Sequence, residues 1–363
     1  MGLFPTEKLA GLFKKKQDVL GLDVGSSAVK LVQLGLGPKG YLLQAMAIVP
    51  LPPEAISEGA IKDPPLVVTA IKEAVTKAGV KEKDAVIAVS GRELSVQKFQ
   101  LQKVPPKERD GFIRIQAEGQ IPFPIAEVYF DYQIVAESPE ETGTMDVMLV
   151  AAKQSKVNEY VAVVEGAGLT PLVVDLDSFA LQNQFEINNP DLLQEVVALI
   201  DVGASMMKTN VVRGGTSIFA RDIPFGGDSY TQAIAERLSV PLDKAEAVKR
   251  RADESVNWDE VAPALEEVSR ELSLEMQRTF DYIASSTEAE QISRIVLSGG
   301  CAKLAGLDEF LASSWGIPVE ISKPFQNVEF DPARFPAEEL EAAGPLLAVA
   351  VGLGMRRPGD KAA

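Results

Sequence analysis

The sequence has no histidine among its 363 residues. Histidine general bases, histidine-activated nucleophiles and histidine metal ligands are therefore excluded. It has one cysteine, Cys301, so an internal disulfide or a cysteine–zinc cluster is impossible. That usage fits a reducing compartment. Cys301 follows a Gly-Gly pair and reads as a small packed side chain, not a reactive thiol. Basic charge is in deficit, with 36 Lys and Arg against 52 Asp and Glu, a net charge of −16. This argues against general binding to nucleic-acid backbones or anionic lipid surfaces. Long apolar runs are missing too. The longest candidate, Pro345 to Met355, is about half the ~20 residues of a membrane span. No signal-peptide pattern is visible, so a cytoplasmic protein is expected. What is present is an apolar fraction of 46%, enough for two domains with their own cores.

The chain is organised around Val19 to Leu34, VLGLDVGSSAVKLVQL. An apolar strand ends at a tight turn, and an alternating strand runs back. The turn carries Asp23, Gly25, Ser26 and Ser27. Gly25 lets backbone approach a ligand closely, and successive N–H groups can converge on one anion. Asp23 suits a hydrated divalent cation, and Lys30 suits phosphate as a point charge. A plain hairpin would show the same pattern. The pattern, however, recurs: Asp23-Val-Gly-Ser-Ser-Ala-Val-Lys30 and Asp201-Val-Gly-Ala-Ser-Met-Met-Lys208 agree at five of eight positions. Two such hairpins imply two similarly folded halves with a ligand clamped between their turns. Gly203, Ala204 and Ser205 then match Gly25, Ser26 and Ser27.

A third stretch, Ile292 to Leu311, reads as a strand, a Ser-Gly-Gly turn and an amphipathic helix. Gly299 and Gly300 would let backbone lie flat against a base or ribose, with Lys303 just beyond. Gly226 and Gly227 precede another helix, with Asp228 as its expected N-cap, and a helix start facing a cleft is an anion site. Glu246 and Lys249 share one face of the next helix, which by itself is a surface ion pair.

Two Asp-x-Gly hairpins followed by strand–Gly-Gly–helix resemble the phosphate 1, phosphate 2 and adenosine motifs of the actin-like ATPase superfamily. The resemblance implies an α/β fold of two similar halves that clamps ATP and Mg2+, the metal held by Asp23 and Asp201 through water. It implies that Glu246 and Lys249 frame the ribose and adenine. It also puts Asp177 at the first connecting segment, where it would position water near the terminal phosphate, although Asp177 reads equally as a helix N-cap. Residues 342–356 resemble the second connecting helix.

In order, residues 1–18 are expected to be a flexible leader. Its Leu3, Phe4, Leu9, Leu12 and Phe13 beside three lysines, and its MGLFPT opening, leave membrane contact or myristoylation as alternatives. Residues 19–85, 169–195 and 341–356 form the first core subdomain. Residues 86–168 form an inserted small α+β lobe, with a proline-opened helix, Ile121-Pro122-Phe123-Pro124 closing it, and an acidic hairpin at Ser138 to Thr144. Residues 196–227 and 290–340 form the second core, 228–289 a helical subdomain, and 357–363 a tail.

The lobe narrows the resemblance. Ile121-Pro-Phe-Pro124, Asp131-Tyr132, Leu149-Val-Ala-Ala152 and Val174-Asp-Leu-Asp-Ser-Phe-Ala180 are similar to the PilM family of type IV pilus assembly proteins, an FtsA-like branch. This implies a cytoplasmic, ATP-loaded scaffold at the inner face of the bacterial inner membrane. It would grip the N-terminal peptide of PilN between the first core and the lobe, reach PilO and PilP through it, and communicate with the motor ATPase and platform protein. Membrane association would be indirect, self-assembly into a ring is possible, and no nucleic acid is implied. Ile115, Ile121, Pro122, Phe123 and Pro124 are the candidate groove residues; the other reading is that Phe123 plugs the lobe's own core. Met206 and Met207 replace the Gly-Thr-like turn of rapid hydrolases, so at most slow ATP turnover is expected. The alternative is an FtsA-like ATPase that forms filaments or acts in cell division.

Overall fold

The computed structural model describes residues 18–57, 59–139, 143–252, 256–285 and 291–360. The expectations for the leader, the tip of the acidic hairpin and the last three residues lie outside the described residues. Strand β1 (Val19–Val24) is buried along its whole length, as a near-continuous apolar run requires of a central strand. It pairs with β2 (Ala28–Gly37), which pairs with β3 (Gly40–Pro50), both antiparallel. A short hairpin, β4 (Ile56–Ser57) and β5 (Ala60–Ile61), leads to α1 (Pro64–Ala78). Asp63 caps α1 by accepting from Leu66 N at 3.1 Å, Pro64 opens it, and Gly79 closes it at φ 66°. Strand β6 (Asp84–Val89) then returns parallel to β1.

The chain next leaves the core as β7 (Leu94–Gln102), α2 (Arg109–Glu118), β8 (Val128–Glu137) and β9 (Thr144–Lys153). These strands form a separate sheet in the order β7-β9-β8, covered by Ile113, Ala117 and Ile121. Helix α2 begins after, not at, Pro105 and Pro106, because Glu108 N bonds back to Pro105 O and closes a turn first. Helix α3 (Gln154–Gly166), β10 (Thr170–Leu176) and α4 (Asp177–Asn188) rejoin the core. The first sheet is thus β10-β6-β1-β2-β3.

The second half repeats that plan. Strands β11 (Val197–Val202), β12 (Met207–Arg213) and β13 (Thr216–Ile223) are an antiparallel meander. Helices α5 (Gly227–Leu238), α6 (Leu242–Lys249) and α7 (Trp258–Ser285) follow. Strand β14 (Arg294–Ser298), α8 (Leu307–Trp315), β15 (Val319–Ile321) and α9 (Ala337–Met355) complete it. The sheet order β13-β12-β11-β14-β15 matches the first half strand for strand. No helix among the described residues is long and apolar enough to cross a membrane.

Helix α9 joins the halves. Its glycines let backbone pass against backbone: a Cβ on Gly352 would sit inside the carbonyl of Ala180 on α4. Gly352→Ala should therefore wedge α4 from α9. Overpacking of this kind costs about 1–3 kcal/mol or more, a fall in melting temperature of roughly 5 °C. An unchanged thermal melt would contradict this crossing.

Candidate functional site

The duplicated turns face one another across the two halves. Gly25 N donates to Ala28 O at 3.1 Å, and Gly203 N donates to Met206 O at 3.0 Å, so both close the same way. In each, the strand-ending aspartate lies opposite a lysine in register, Asp23 with Lys30 and Asp201 with Lys208. The hydroxyls of Ser26 and Ser205 meet at 2.5 Å across the gap. No backbone bond among the described residues uses the amides of Ser26, Ser27, Ala204 or Ser205. The four donors thus lie on two turns whose hydroxyls meet, the arrangement that holding a polyphosphate requires.

Beneath them, Asp23, Asp177 and Asp201 are buried. Lys30 donates to Asp23 at 2.8 Å. Lys208 donates to Asp201 at 3.0 Å and lies 3.4 Å from Asp177. Both lysines thus pair with carboxylates, so Lys30 would meet phosphate as a point charge while sharing its ammonium with Asp23. The cause is burial: an ammonium taken out of water needs a counter-charge at once. Burial pulls the Lys208 pKa down, but Asp201, Asp177 and Asp23 outweigh it and hold it well above the ordinary value. Burial raises the Asp23 pKa despite Lys30.

Two further charges belong to this floor. Asp222 on β13 has its pKa pushed up by burial to about 7. Lys156 on α3 is buried, donates to Gly59 O and stacks over the Tyr160 ring at 4.5 Å. Asp23, Asp177 and Asp201 face the ammonium groups of Lys30 and Lys208, a negative balance that suits a divalent cation. No group of three carboxylates converges closely enough, among the described residues, to cage a metal directly. A cation here would keep its water, as magnesium tends to do. Sequence reading missed Asp222 and Lys156. The available signal was an acid inside an alternating strand, and a lysine four residues from a tyrosine on an otherwise apolar helix face.

Asp177 opens α4 as its first helical residue, with Leu176 before it, so it is not the N-cap. Its carboxylate faces Lys208 instead. Asp228 is likewise no cap: it is exposed, and Gly226 holds the cap position. The α5 start is not an open anion site either. Gly227 N bonds Gly203 O at 2.9 Å, Asp228 N bonds Ala204 O at 2.8 Å, and Ser229 N bonds Gly226 O at 3.1 Å. The helix spends these amides bracing the second turn, and Gly226 is needed because a Cβ would lie 2.6 Å from Gly203 O. Glu246 and Lys249 pair at 2.6 Å, and Lys249 also donates to Gly227 O at 2.9 Å, tying α6 to that start.

The Gly-Gly pair divides its labour. Gly299 has φ 85°, and a Cβ there would collide with the Val202 carbonyl. Gly300 is exposed and would meet nothing within 4 Å, leaving a flat surface beside the cleft with exposed Lys303 near it. Cys301 is buried, with its thiol pushed up to about 12. Met206 and Met207 are buried, Met207 within the second half's core, so their bulk does not crowd the cleft.

The groove candidates do not gather into one patch. Ile121 is buried and Phe123 half-buried, packed with Ala117, Val128, Leu149 and Ala151 in the lobe's own core. The Lys153 ammonium sits 5.1 Å over the Phe123 ring. Pro122 and Pro124 are exposed, and Ile115 is 71% exposed on α2.

A family model described as type IV pilus assembly protein PilM matches residues 21–358. A solved structure described as a PilM–PilN type IV pilus biogenesis complex is 32% identical at a TM-score of 0.84, over 94% of this chain and 99% of that one. The cell division protein FtsA of Escherichia coli strain K12 is 24% identical over 256 residues, 64% of this chain and 60% of FtsA. The chain thus matches less than two thirds of that relative's length. MreB5 of Spiroplasma citri, solved with AMPPNP, shares the fold at a TM-score of 0.52 and 11% identity, over 93% and 95% of the two chains. The fold is that of the actin-like ATPases.

Proposed function

This chain belongs to the PilM family of type IV pilus assembly proteins, and on that premise we propose that it is an ATP-loaded scaffold binding a PilN N-terminal peptide. The observation that carries the nucleotide reading is the pair of facing turns with four uncommitted amides. Those amides and the Ser26 and Ser205 hydroxyls would hold the phosphates, and the base would lie on Gly300. Asp23 and Asp201 would hold magnesium through water, and the metal would neutralise phosphate charge. Asp177 would face the terminal phosphate, but its engagement with Lys208 leaves it a poor activator of water, which keeps turnover slow.

The partner reading is supported by the similarity to a PilM–PilN complex. The peptide would lie between the first core and the inserted lobe, PilO and PilP would be reached through PilN, and the motor ATPase and platform protein would be further partners. The protein would then sit at the inner face of the bacterial inner membrane without inserting, in a ring if several copies assemble. Co-purification with a PilN N-terminal peptide, with and without ATP and magnesium, tests this. Ile115→Asp should weaken capture at least about tenfold and leave the melt unchanged, because the side chain is exposed. Phe123→Ala should lower the melting temperature instead, because it opens the lobe core. Full capture by Ile115→Asp would remove α2 from the interface.

A further inference from the structure

Gly91 lies where the chain leaves the first core for the lobe, between β6 and β7. It follows β6 by two residues, is buried, and has φ 116°, a conformation that favours glycine. Its N–H donates to the carboxylate of Asp222 at 2.6 Å. Asp222 belongs to the other half, on the edge strand β13, so this bond ties the lobe's root to the second sheet.

On its other side Asp222 is wired to the cleft. It pairs in register with Lys208 on β12, whose ammonium binds Asp201 and lies beside Asp177. The charges that act on Asp222 are those of Asp177, Lys208 and Asp201, and Lys156 of α3 feels it in turn. A cavity of about 260 Å³ opens beside the bond, lined by Arg92 and Gln97 of the lobe, Asp177 and Ser178 of α4, and Arg221 next to Asp222. The bond therefore borders free space and is not locked in close packing, so it has room to open.

We propose that Asp222 is a latch that couples occupancy of the cleft to the position of the inserted lobe, resting on the nucleotide reading above. An anion and its metal entering between the turns change the field at Lys208 and Asp177. Asp222 shares that field, so its hold on the Gly91 amide changes with it. The lobe edge β7, which begins three residues later, shifts when the bond is released. Two states, latched and unlatched, are then biased from one site and read at another.

Amide hydrogen exchange of residues 90–94 in the full chain, with and without magnesium–AMPPNP, tests this beside calorimetry of the same samples. In the unaltered protein the nucleotide should change protection at Gly91 by about threefold or more. Asp222→Ala should speed exchange there about tenfold without nucleotide and abolish the response. Asp222→Asn keeps an acceptor oxygen but not the charge, so protection should persist while the response shrinks. It also covers the case in which Asp222→Ala fails to fold. Nucleotide binding with unchanged protection at Gly91 overturns the latch alone. A full response in Asp222→Asn overturns the role of the charge. Absence of nucleotide binding overturns the reading beneath it, and the coupling with it.

Discussion

Lys208→Ala should lower the melting temperature by about 5–10 °C, and added magnesium should restore part of the loss. Lys208 is the ammonium between Asp201 and Asp177. Removing one partner of a buried pair costs about 3–5 kcal/mol, because the carboxylates left behind lose their counter-charge. A divalent cation supplies that charge, so the variant should gain more from magnesium than the unaltered protein does. The sign with pH follows from the raised folded pKa of Lys208. Its stabilisation is fully present below the ordinary lysine value of 10.5 and is lost only as pH rises beyond it. Lys208 itself therefore adds no change in the deficit between roughly pH 7 and pH 9. Asp222, pushed up to about 7 with Lys208 lowering it, should make the deficit grow as pH rises through that range. A melt unaffected by Lys208→Ala would show that the three aspartates do not depend on it.

Gly300→Val should abolish nucleotide binding, at least about a hundredfold by calorimetry with magnesium present, and leave the melt in place. A Cβ at Gly300 meets no protein atom within 4 Å and the residue is exposed, so the fold has room for a side chain there. A base lying on that surface would collide with a branched side chain. Gly299→Ala is the counterpart. It should lower the melting temperature, because its φ of 85° and the Val202 carbonyl leave no room for a Cβ. Normal binding by Gly300→Val would reduce the Gly-Gly pair to a backbone device.

The two hairpins and the Gly-Gly turn were legible because each is a local pattern. An apolar run of four residues (Val19–Leu22) or five (Val196–Ile200) before Asp-Val-Gly reports its own strand, and repetition of that run reports a duplicated half. The lobe was legible as an insertion because its strands interrupt the repeat, but its expected bounds of 86–168 took in β6 and α3, which pack with the first core. The amides of Ser26, Ser27, Ala204 and Ser205 were legible as a class, since tight turns leave donors unpaired.

What the tertiary structure decided concerns pairing across distance. Lys208 was visible as the counterpart of Lys30, but its approach to Asp177 depends on α4 crossing behind β12. The α5 amides looked free until the second turn was seen to take them. Ile121 and Phe123 sit in a proline-rich corner that reads as surface, yet the fold turns both onto Ala117, Val128, Leu149 and Ala151 in the lobe's core. Asp222 was an unremarked acid in a strand until Gly91, 131 residues earlier, was found against it. Periodicity and turn chemistry are written in neighbouring residues and survive in one dimension. Which buried charge meets which depends on how the two halves close, and no local pattern encodes that.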